Sequence, residues 1–323
     1  MIKIEKSPVS VEEIGYEHQA RRRSWRAVLW ERVRSVLCLI AGLGLLATTA
    51  AAQTNHAPDN SSDEELVKQL ANPVASLISV PFQNNWDFGL GGGDGWRYTL
   101  NFQPVVPIKL NEDWNLIIRT IVPFVHQEEI FKGVFDQLDL PEGIVEKFTG
   151  KFGDSQTGLG DITQSFFLSP SKGPFGFVVG AGPVFLYPSA TNELLGTGKW
   201  GSGPTVVILK QVGGWSIGAL INHIWSFAGE EKRSYVSTTF LQPFLSYATK
   251  TKTTFTINAE STYDWNAGQW TIPVNFSVSQ LIRVGKLPVS VAIGARYYAE
   301  APRFGPSWGM RFVVTPLFPT GNR

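Results

Sequence analysis

The chain has 323 residues, of which 43% are hydrophobic, 12% aromatic and 17% charged. This apolar content excludes a wholly disordered chain, and the length allows one large domain or two ordinary ones. The 28 basic and 27 acidic residues nearly cancel, so the chain has no basic field for nucleic acid, while 32 glycines, 20 prolines and few sulfur-containing residues favour a β architecture.

Residues 1–52 have the pattern of a secretory signal peptide. An arginine-rich segment precedes the apolar run from Val36 to Ala47, and a small-residue A-x-A site follows at Ala50 to Ala52. The run is too short to span a bilayer, which takes about 20 residues. We therefore predict export and a mature chain that begins at Gln53. It would contain no cysteine, because Cys38 lies in the signal.

Residues 53–73 form a polar segment before the first predicted strand. The stretch S-S-D-E-E-L-V-K-Q-L (61–70) predicts a short helix with Ser62 and Glu65 as a capping pair. Two interpretations stay open for it: a disordered periplasmic lead, or a helix that plugs the mouth of a barrel.

From residue 74 to 323 the dominant pattern is alternation of apolar and polar residues, which is typical of strands with two different faces. In Thr254 to Trp265, for example, Phe255 and Ile257 alternate with Thr254 and Thr256. Twelve such strands are predicted near 74–88, 96–110, 115–127, 159–169, 175–188, 200–211, 215–228, 237–249, 253–265, 270–282, 287–299 and 307–318. Most are longer than the roughly 5 or 6 residues usual in soluble proteins and match a membrane-spanning strand of about 9–11 residues plus its ends.

The predicted connections alternate between short and long. The short ones include 111–114 and 212–214, whereas 128–158 and 189–199 are long, with 266–269 as an exception. Outer-membrane barrels have short periplasmic turns and longer extracellular loops. The chain is therefore predicted to be all-β, a single transmembrane antiparallel up-and-down β-barrel of about 12 strands with a short N-terminal periplasmic helix.

Tryptophans are predicted to cluster near the strand ends, where indole rings favour a membrane interface. Those assigned to the extracellular end are Trp86, Trp96, Trp200, Trp225, Trp265, Trp270 and Trp308. Apolar residues of the 128–158 loop recur at helical spacing and predict a lid over that end. Prolines inside strands predict bulges at Pro104, Pro183, Pro243 and Pro273.

Several stretches together resemble a known bacterial outer-membrane family. They are L-A-N-P-V-A-S-L-I-S-V-P-F-Q (70–83), L-N-E-D-W-N-L-I-I-R-T-I-V-P (110–123), G-L-G-D-I-T-Q-S (158–165), G-K-W-G-S-G-P-T (198–205), T-F-L-Q-P-F-L-S-Y (239–247) and E-S-T-Y-D-W (260–265). The family's members are labelled transporters or components of the meta-pathway of phenol degradation, some under the misleading name neuromedin U. The resemblance implies an outer-membrane barrel but little about its substrate, and it brings no catalytic residues with it.

If the apolar face meets lipid, the polar face lines the lumen. The candidate lumen residues are Arg97, Asn101, Gln103, Arg119, Asn222, Asn258, Glu260, Asp264, Asn275, Arg296 and Arg311. A barrel of about twelve strands lies between the filled eight-stranded and the open 16-stranded kinds, so we expect a narrow, partly obstructed lumen. Each single charge is expected to serve structural pairing more often than ligand binding.

An interfacial lipid hydrolase is the main alternative to a channel. Such chemistry needs a hydroxyl next to a histidine that a polar group orients. His126 and His223, the latter with Ser226 nearby, are the candidates. The sequence has no P-loop, no metal-ligand spacing and no G-x-S-x-G motif. A structural barrel without transport is the third reading.

These features predict a non-enzymatic outer-membrane protein that passes a small solute, hydrophobic or aromatic, without a cofactor or metal. The expected partners are outer-membrane lipid, that solute and the barrel-assembly machinery, with no nucleic acid.

Overall fold

The computed structural model describes residues 60–72, 77–93, 95–138, 143–145, 147 and 155–319. The predicted signal peptide, residues 53–59 and parts of the 128–158 loop lie outside these ranges.

Twelve antiparallel barrel strands run through the described ranges, and each predicted strand overlaps one of them. They are β1 (Leu77–Ser79 and Phe82–Leu90), β2 (Gly95–Phe102 and Val105–Lys109), β3 (Trp114–Glu128), β4 (Ser155–Leu159 and Ile162–Pro170), β5 (Phe177–Tyr187), β6 (Lys199–Val212), β7 (Trp215–Gly229), β8 (Ser237–Ala248), β9 (Thr253–Ala259 and Ser261–Asp264), β10 (Gln269–Val284), β11 (Leu287–Glu300) and β12 (Trp308–Pro319). The predicted all-β barrel is confirmed.

The sheet closes because its last strand pairs with its first. The β12–β1 register runs from Trp308 opposite Phe88 to Pro319 opposite Leu77. The rings of Trp308 and Phe88 stack across this seam with centroids 4.6 Å apart. Closure leaves no open sheet edge, which is the condition for a sheet to sit in lipid.

The two ends of the barrel differ. At the short-turn end the strands are joined through 110–113, 171–176, 213–214, 249–252 and 285–286, and a 3-10 helix occupies Pro174–Gly176. At the long-loop end the connections are 91–94, 129–154, 188–198, 230–236, 265–268 and 301–307. The α-helices with assigned bounds are α1 (Asn60–Leu70) before the barrel and α2 (Ile130–Leu138) in the longest loop, and residues 143–145 and 147 are also helical. No helix in the described ranges is long and apolar enough to cross a membrane.

Prolines interrupt the ladders without always shifting them. Glu260 N donates to Pro273 O at 3.1 Å, but Pro273 has no N–H to return the bond, so β9 is divided there. The register shifts beside Pro273, as expected of a bulge. At Pro104 the strand is interrupted but the register continues on both sides. The prediction of bulges at Pro183 and Pro243 was wrong, because both prolines pair in continuous register.

The outer face of the barrel is apolar. Phe255 and Ile257 are 43% and 48% exposed, and their neighbours Thr254 and Thr256 point to the other side. The predicted tryptophans lie at the strand ends and contact other rings, as in the pair of Tyr263 with Trp270 at 4.9 Å. An apolar band with aromatic ends is the surface that a bilayer requires.

Helix α1 packs into the short-turn end. Asp63, Leu66, Val67 and Leu70 share one face at spacings of three and four residues. Leu66 and Val67 are buried against Leu77, Leu281 and Leu317 on the inner side of the strands. The helix begins at Asn60, so the capping pair predicted at Ser62 was wrong: the helix starts two residues earlier.

Candidate functional site in the barrel lumen

Glu260 is the centre of an ionic layer across the lumen, formed by Asp87, Arg97, Arg119, Glu260, Arg296 and Arg311. Arg311 on β12 donates two parallel hydrogen bonds to the Glu260 carboxylate on β9, at 2.9 and 2.7 Å. Its Nε donates to Asn85 Oδ1 at 2.8 Å. The two strands are not neighbours in the sheet. This bidentate pair therefore joins separate parts of the barrel wall across the interior.

Arg296 on β11 connects the same layer to β1. Its guanidinium lies 3.2 Å from Asp87 Oδ1 and 3.7 Å from Glu260 Oε2. Gly309 of β12 stands between Arg296 and Asp87 in the register. A Cβ at Gly309 would come within 2.7 Å of Asp87 Oδ1. The missing side chain therefore leaves the space in which the Arg296–Asp87 pair forms.

Two further arginines of the layer contact neutral acceptors. Arg97 Nε donates to Gln127 Oε1 at 2.9 Å, and Gln127 in turn donates to Gln156 Oε1 at 2.9 Å. Arg119 Nη2 donates to Gln103 Oε1 at 3.0 Å. Within the layer, four arginines therefore face two carboxylates.

The other predicted lumen residues divide into three groups. Asn275 is buried and donates to Asn258 Oδ1 at 2.8 Å. Asn101 is two residues from Gln103, and Asn222 is two residues from buried Leu220. Each asparagine therefore lies on the same strand face as that neighbour. Asp264 serves the following turn instead, because its carboxylate accepts hydrogen bonds from the N–H groups of Asn266 and Ala267.

Part of the interior is apolar, which the sequence analysis did not predict. Ile117, Phe167, Val207 and Leu220 are buried together on the inner side, and further apolar residues pack against them. We call this cluster the apolar wall, with Val105, Val178 and Phe240 as its partly buried members. Its members come one each from seven successive strands, β2 to β8. A sequence pattern could have predicted this apolar inner face: odd and even positions are both apolar in V-V-G-A-G-P-V-F and P-T-V-V-I-L.

The sequence analysis also missed Asp87. In N-N-W-D-F-G it alternates with Trp86 and Phe88 and shares a face with Asn85, so the period-two rule could have found it.

Loops cover part of the long-loop end. Ile130 of α2 is buried beside the turn after β1. Gly91 in that turn has φ +67°, and a Cβ on it would lie 2.2 Å from the Ile130 carbonyl oxygen. Its N–H donates to Phe304 O at 2.9 Å. Three connections therefore meet at this end.

The two histidines in the described ranges, His126 and His223, lie on the outer side of the barrel. His223 Nδ1 is 2.7 Å from Thr239 Oγ1, whereas Ser226 Oγ accepts from Val236 N. The predicted proximity of His223 to Ser226 gives no hydrogen bond between them. His126 Nδ1 lies 2.6 Å from Thr157 Oγ1 and its Nε2 lies 3.1 Å from Glu128 Oε1. Within the described ranges no group of His, Cys, Asp or Glu could hold a metal ion.

The closed sheet and its apolar outer face define the class as a twelve-stranded β-barrel of the outer-membrane type. No protein-family model and no curated protein matches the sequence. Among solved structures, the chain is similar to an outer-membrane channel from Pseudomonas putida F1, with 13% identity over 75% of this chain and 94% of that one, at a TM-score of 0.54.

Two weaker similarities accompany it. The KdgM porin in complex with disordered oligogalacturonate shares 11% identity over 75% of this chain and 98% of its own, at a TM-score of 0.38. Outer membrane phospholipase A from Escherichia coli shares 10% identity over 81% of this chain and 99% of its own, at a TM-score of 0.42. At such identities the similarity concerns the fold alone.

Proposed function

We propose that this protein lies in the outer membrane and is a passive channel for a small solute, hydrophobic or aromatic in character. The observation that carries the proposal is a cavity of about 290 Å³ inside the barrel, between α1 and the ionic layer. A solute that enters the lumen would meet this space next to Arg119. The fold similarity to the P. putida channel, and the resemblance to a transporter-labelled family, support the same reading.

In this proposal the short-turn end faces the periplasm and α1 is a displaceable plug. Among the described residues, α1 is held by the buried side chains of Leu66 and Val67 with Leu70 beside them, by ion pairs of Asp63 with Lys252 and Arg283, and by a hydrogen bond from Gln211 Nε2 to Lys68 O. Helix α2 and its neighbouring loops restrict the extracellular mouth. Movement through such a lumen needs no nucleotide or redox cofactor, since the solute follows its own gradient.

Planar-bilayer recording of the purified, refolded mature protein tests the proposal. We expect small conductance steps, and uptake of an aromatic solute into proteoliposomes. Protein that carries neither current nor solute at any voltage or pH from 4 to 8 would leave a purely structural barrel as the better reading.

An interfacial hydrolase is the second candidate, favoured by one observation. The chain Thr157–His126–Glu128 places a hydroxyl, an imidazole and a carboxylate in hydrogen-bond series at the outer surface of β3 and β4. This is the arrangement of an activated nucleophile. The assay is phospholipid turnover in mixed micelles by the parent protein and by His126→Ala, with His223→Ala as the comparison. Turnover that is absent, or unaffected by His126→Ala, removes this candidate.

A further inference from the structure

The cavity between α1 and the ionic layer has one charged end and one apolar side. Its floor is the C-terminal half of α1, with Val67 and Leu70. Strands β1 to β3 and β7 to β10 supply the rest of its lining. Arg119 and Gln103 lie at the edge that it shares with the ionic layer.

The lining side chains divide by chemistry. Val105, Leu220 and Phe244 give an apolar surface that continues into the helix residues. Small hydroxyl and amide groups of β8, β9 and β10 also line it, namely Ser246, Thr254, Thr256, Asn258 and Ser279. An amphipathic lining of this kind suits a ligand with an apolar body and a few polar atoms.

Among the described residues of this lining, Arg119 is the single ionisable side chain. Its one hydrogen bond among the described residues goes from Nη2 to the neutral amide of Gln103. It makes no ion pair within the described part of the chain, because Glu260 is held by Arg311 and Arg296. A guanidinium has five N–H donors in a fork that matches a carboxylate. Most of its donor capacity is therefore left for a ligand.

We propose that this cavity binds a small monocarboxylate with an apolar, ring-sized body, its carboxylate on Arg119 and its body against Leu220 and Phe244. The inference rests on the proposed channel function, whose solute class it names. A neutral solute would give the remaining N–H donors of the guanidinium only uncharged acceptors, and a cation would be repelled. A dianion would find no second positive charge among the described lining residues.

Size gives the second limit. An apolar cavity of about 150 Å³ accepts benzene. The space here is about 290 Å³, enough for one ring that carries a carboxylate and too little for a lipid, a nucleotide or a peptide. Benzoate is therefore a suitable probe, and benzamide is its neutral counterpart of the same shape.

Isothermal titration calorimetry of the full mature protein in detergent, with benzoate at pH 7, tests the proposal. We expect saturable binding of one benzoate, and affinity for benzamide lower by about tenfold or more, because the charge-assisted hydrogen bonds are lost. Arg119→Gln should weaken benzoate to the level of benzamide. Arg119→Lys keeps the charge but not the forked donors of the guanidinium, so its affinity for benzoate should lie between those of the parent protein and Arg119→Gln.

Arg97→Gln is the matched control, because Arg97 belongs to the same ionic layer but does not line the cavity. It should bind benzoate within about twofold of the parent protein. Heat-modifiable migration on gels checks that each variant is a folded barrel. Should Arg119→Gln fail to fold, Arg119→Lys together with the benzoate–benzamide comparison still decides the matter.

Equal affinity for benzoate and benzamide, benzoate binding that survives Arg119→Gln, or no benzoate binding at all would overturn the proposal. These outcomes are independent of the channel assay. Conductance without benzoate binding would contradict the site alone, whereas benzoate binding without conductance or flux would contradict the proposed function and keep the site.

Discussion

Asp63 on the N-terminal helix and Lys252 in the turn between β8 and β9 are 189 positions apart in the sequence, and their charged atoms lie 2.7 Å apart. Arg283 at the end of β10 pairs with the same carboxylate. These two ion pairs, with the apolar contacts of Leu66 and Val67, fix α1 at the short-turn end.

Asp63→Asn should loosen α1. It removes the negative charge that Lys252 and Arg283 both contact, at a cost of about 1–3 kcal/mol to the docked helix. We expect faster proteolysis within residues 60–72 and a larger conductance. Glu65→Gln, on the exposed side of the same helix, is the control and should behave as the parent protein. Equal proteolysis of the two variants would contradict the role of Asp63.

The same contact predicts a pH dependence. Burial raises the pKa of Asp63, but the hydrogen bonds and charges of Arg283 and Lys252 outweigh burial and hold it below its usual range. A carboxylate with a lowered pKa stabilises the docked state fully above its free pKa of about 3.9, and that contribution is lost as the pH falls through the lowered value. Proteolysis of α1 by an acid-active protease should thus stay constant from pH 8 to 5 and rise below about pH 4. A rise already at pH 6 would point to another group.

Glu260→Gln should destabilise the barrel. The change leaves Arg311 and Arg296 buried without their shared carboxylate, and breaking a buried pair costs about 3–5 kcal/mol. Denaturant unfolding in detergent, followed by tryptophan fluorescence, should show an earlier midpoint. Glu112→Gln, in an exposed turn, controls for the loss of one negative charge. Identical midpoints for the two variants would exclude a stabilising role for Glu260.

Gly309→Ala tests the space between Arg296 and Asp87. The added methyl group would meet Trp86 O at 2.5 Å and Asp87 Oδ1 at 2.7 Å. We expect destabilisation of about 1–3 kcal/mol from this overpacking. Gly93→Ala is the matched control, because a Cβ there meets no atom of the described residues within 4 Å. A stable Gly309→Ala protein would mean that β12 can shift without cost.

Labelling of whole cells tests the orientation. The predicted mature chain has no cysteine, so Glu231→Cys in a long loop and Lys172→Cys in a short turn can be labelled singly. A membrane-impermeant maleimide should modify residue 231 on intact cells and residue 172 only after lysis. The reverse pattern would invert the barrel in the membrane.

The strands were predictable because alternation has a period of two wherever one face meets lipid, as in Thr254 to Ala259. The contact between Arg311 and Glu260 was not, since the pairing of side chains across a lumen depends on the barrel's curvature and not on sequence spacing. The apolar wall was missed for a related reason. We expected polar residues on the face that lines the lumen. Where that face is apolar too, as at Ile117 and Phe167, the two faces of the strand look alike and there is no alternation to detect.

The middle strands of the apolar wall also make the interior of the barrel asymmetric. Among the described residues that line the cavity, those on strands come from β1–β3 and β7–β10, with none from β4, β5 or β6. A solute would thus travel off-centre, along a crescent that these three strands do not line. β4 to β6 would act as a fixed spine, where substitutions alter the folding of the barrel more than its permeability.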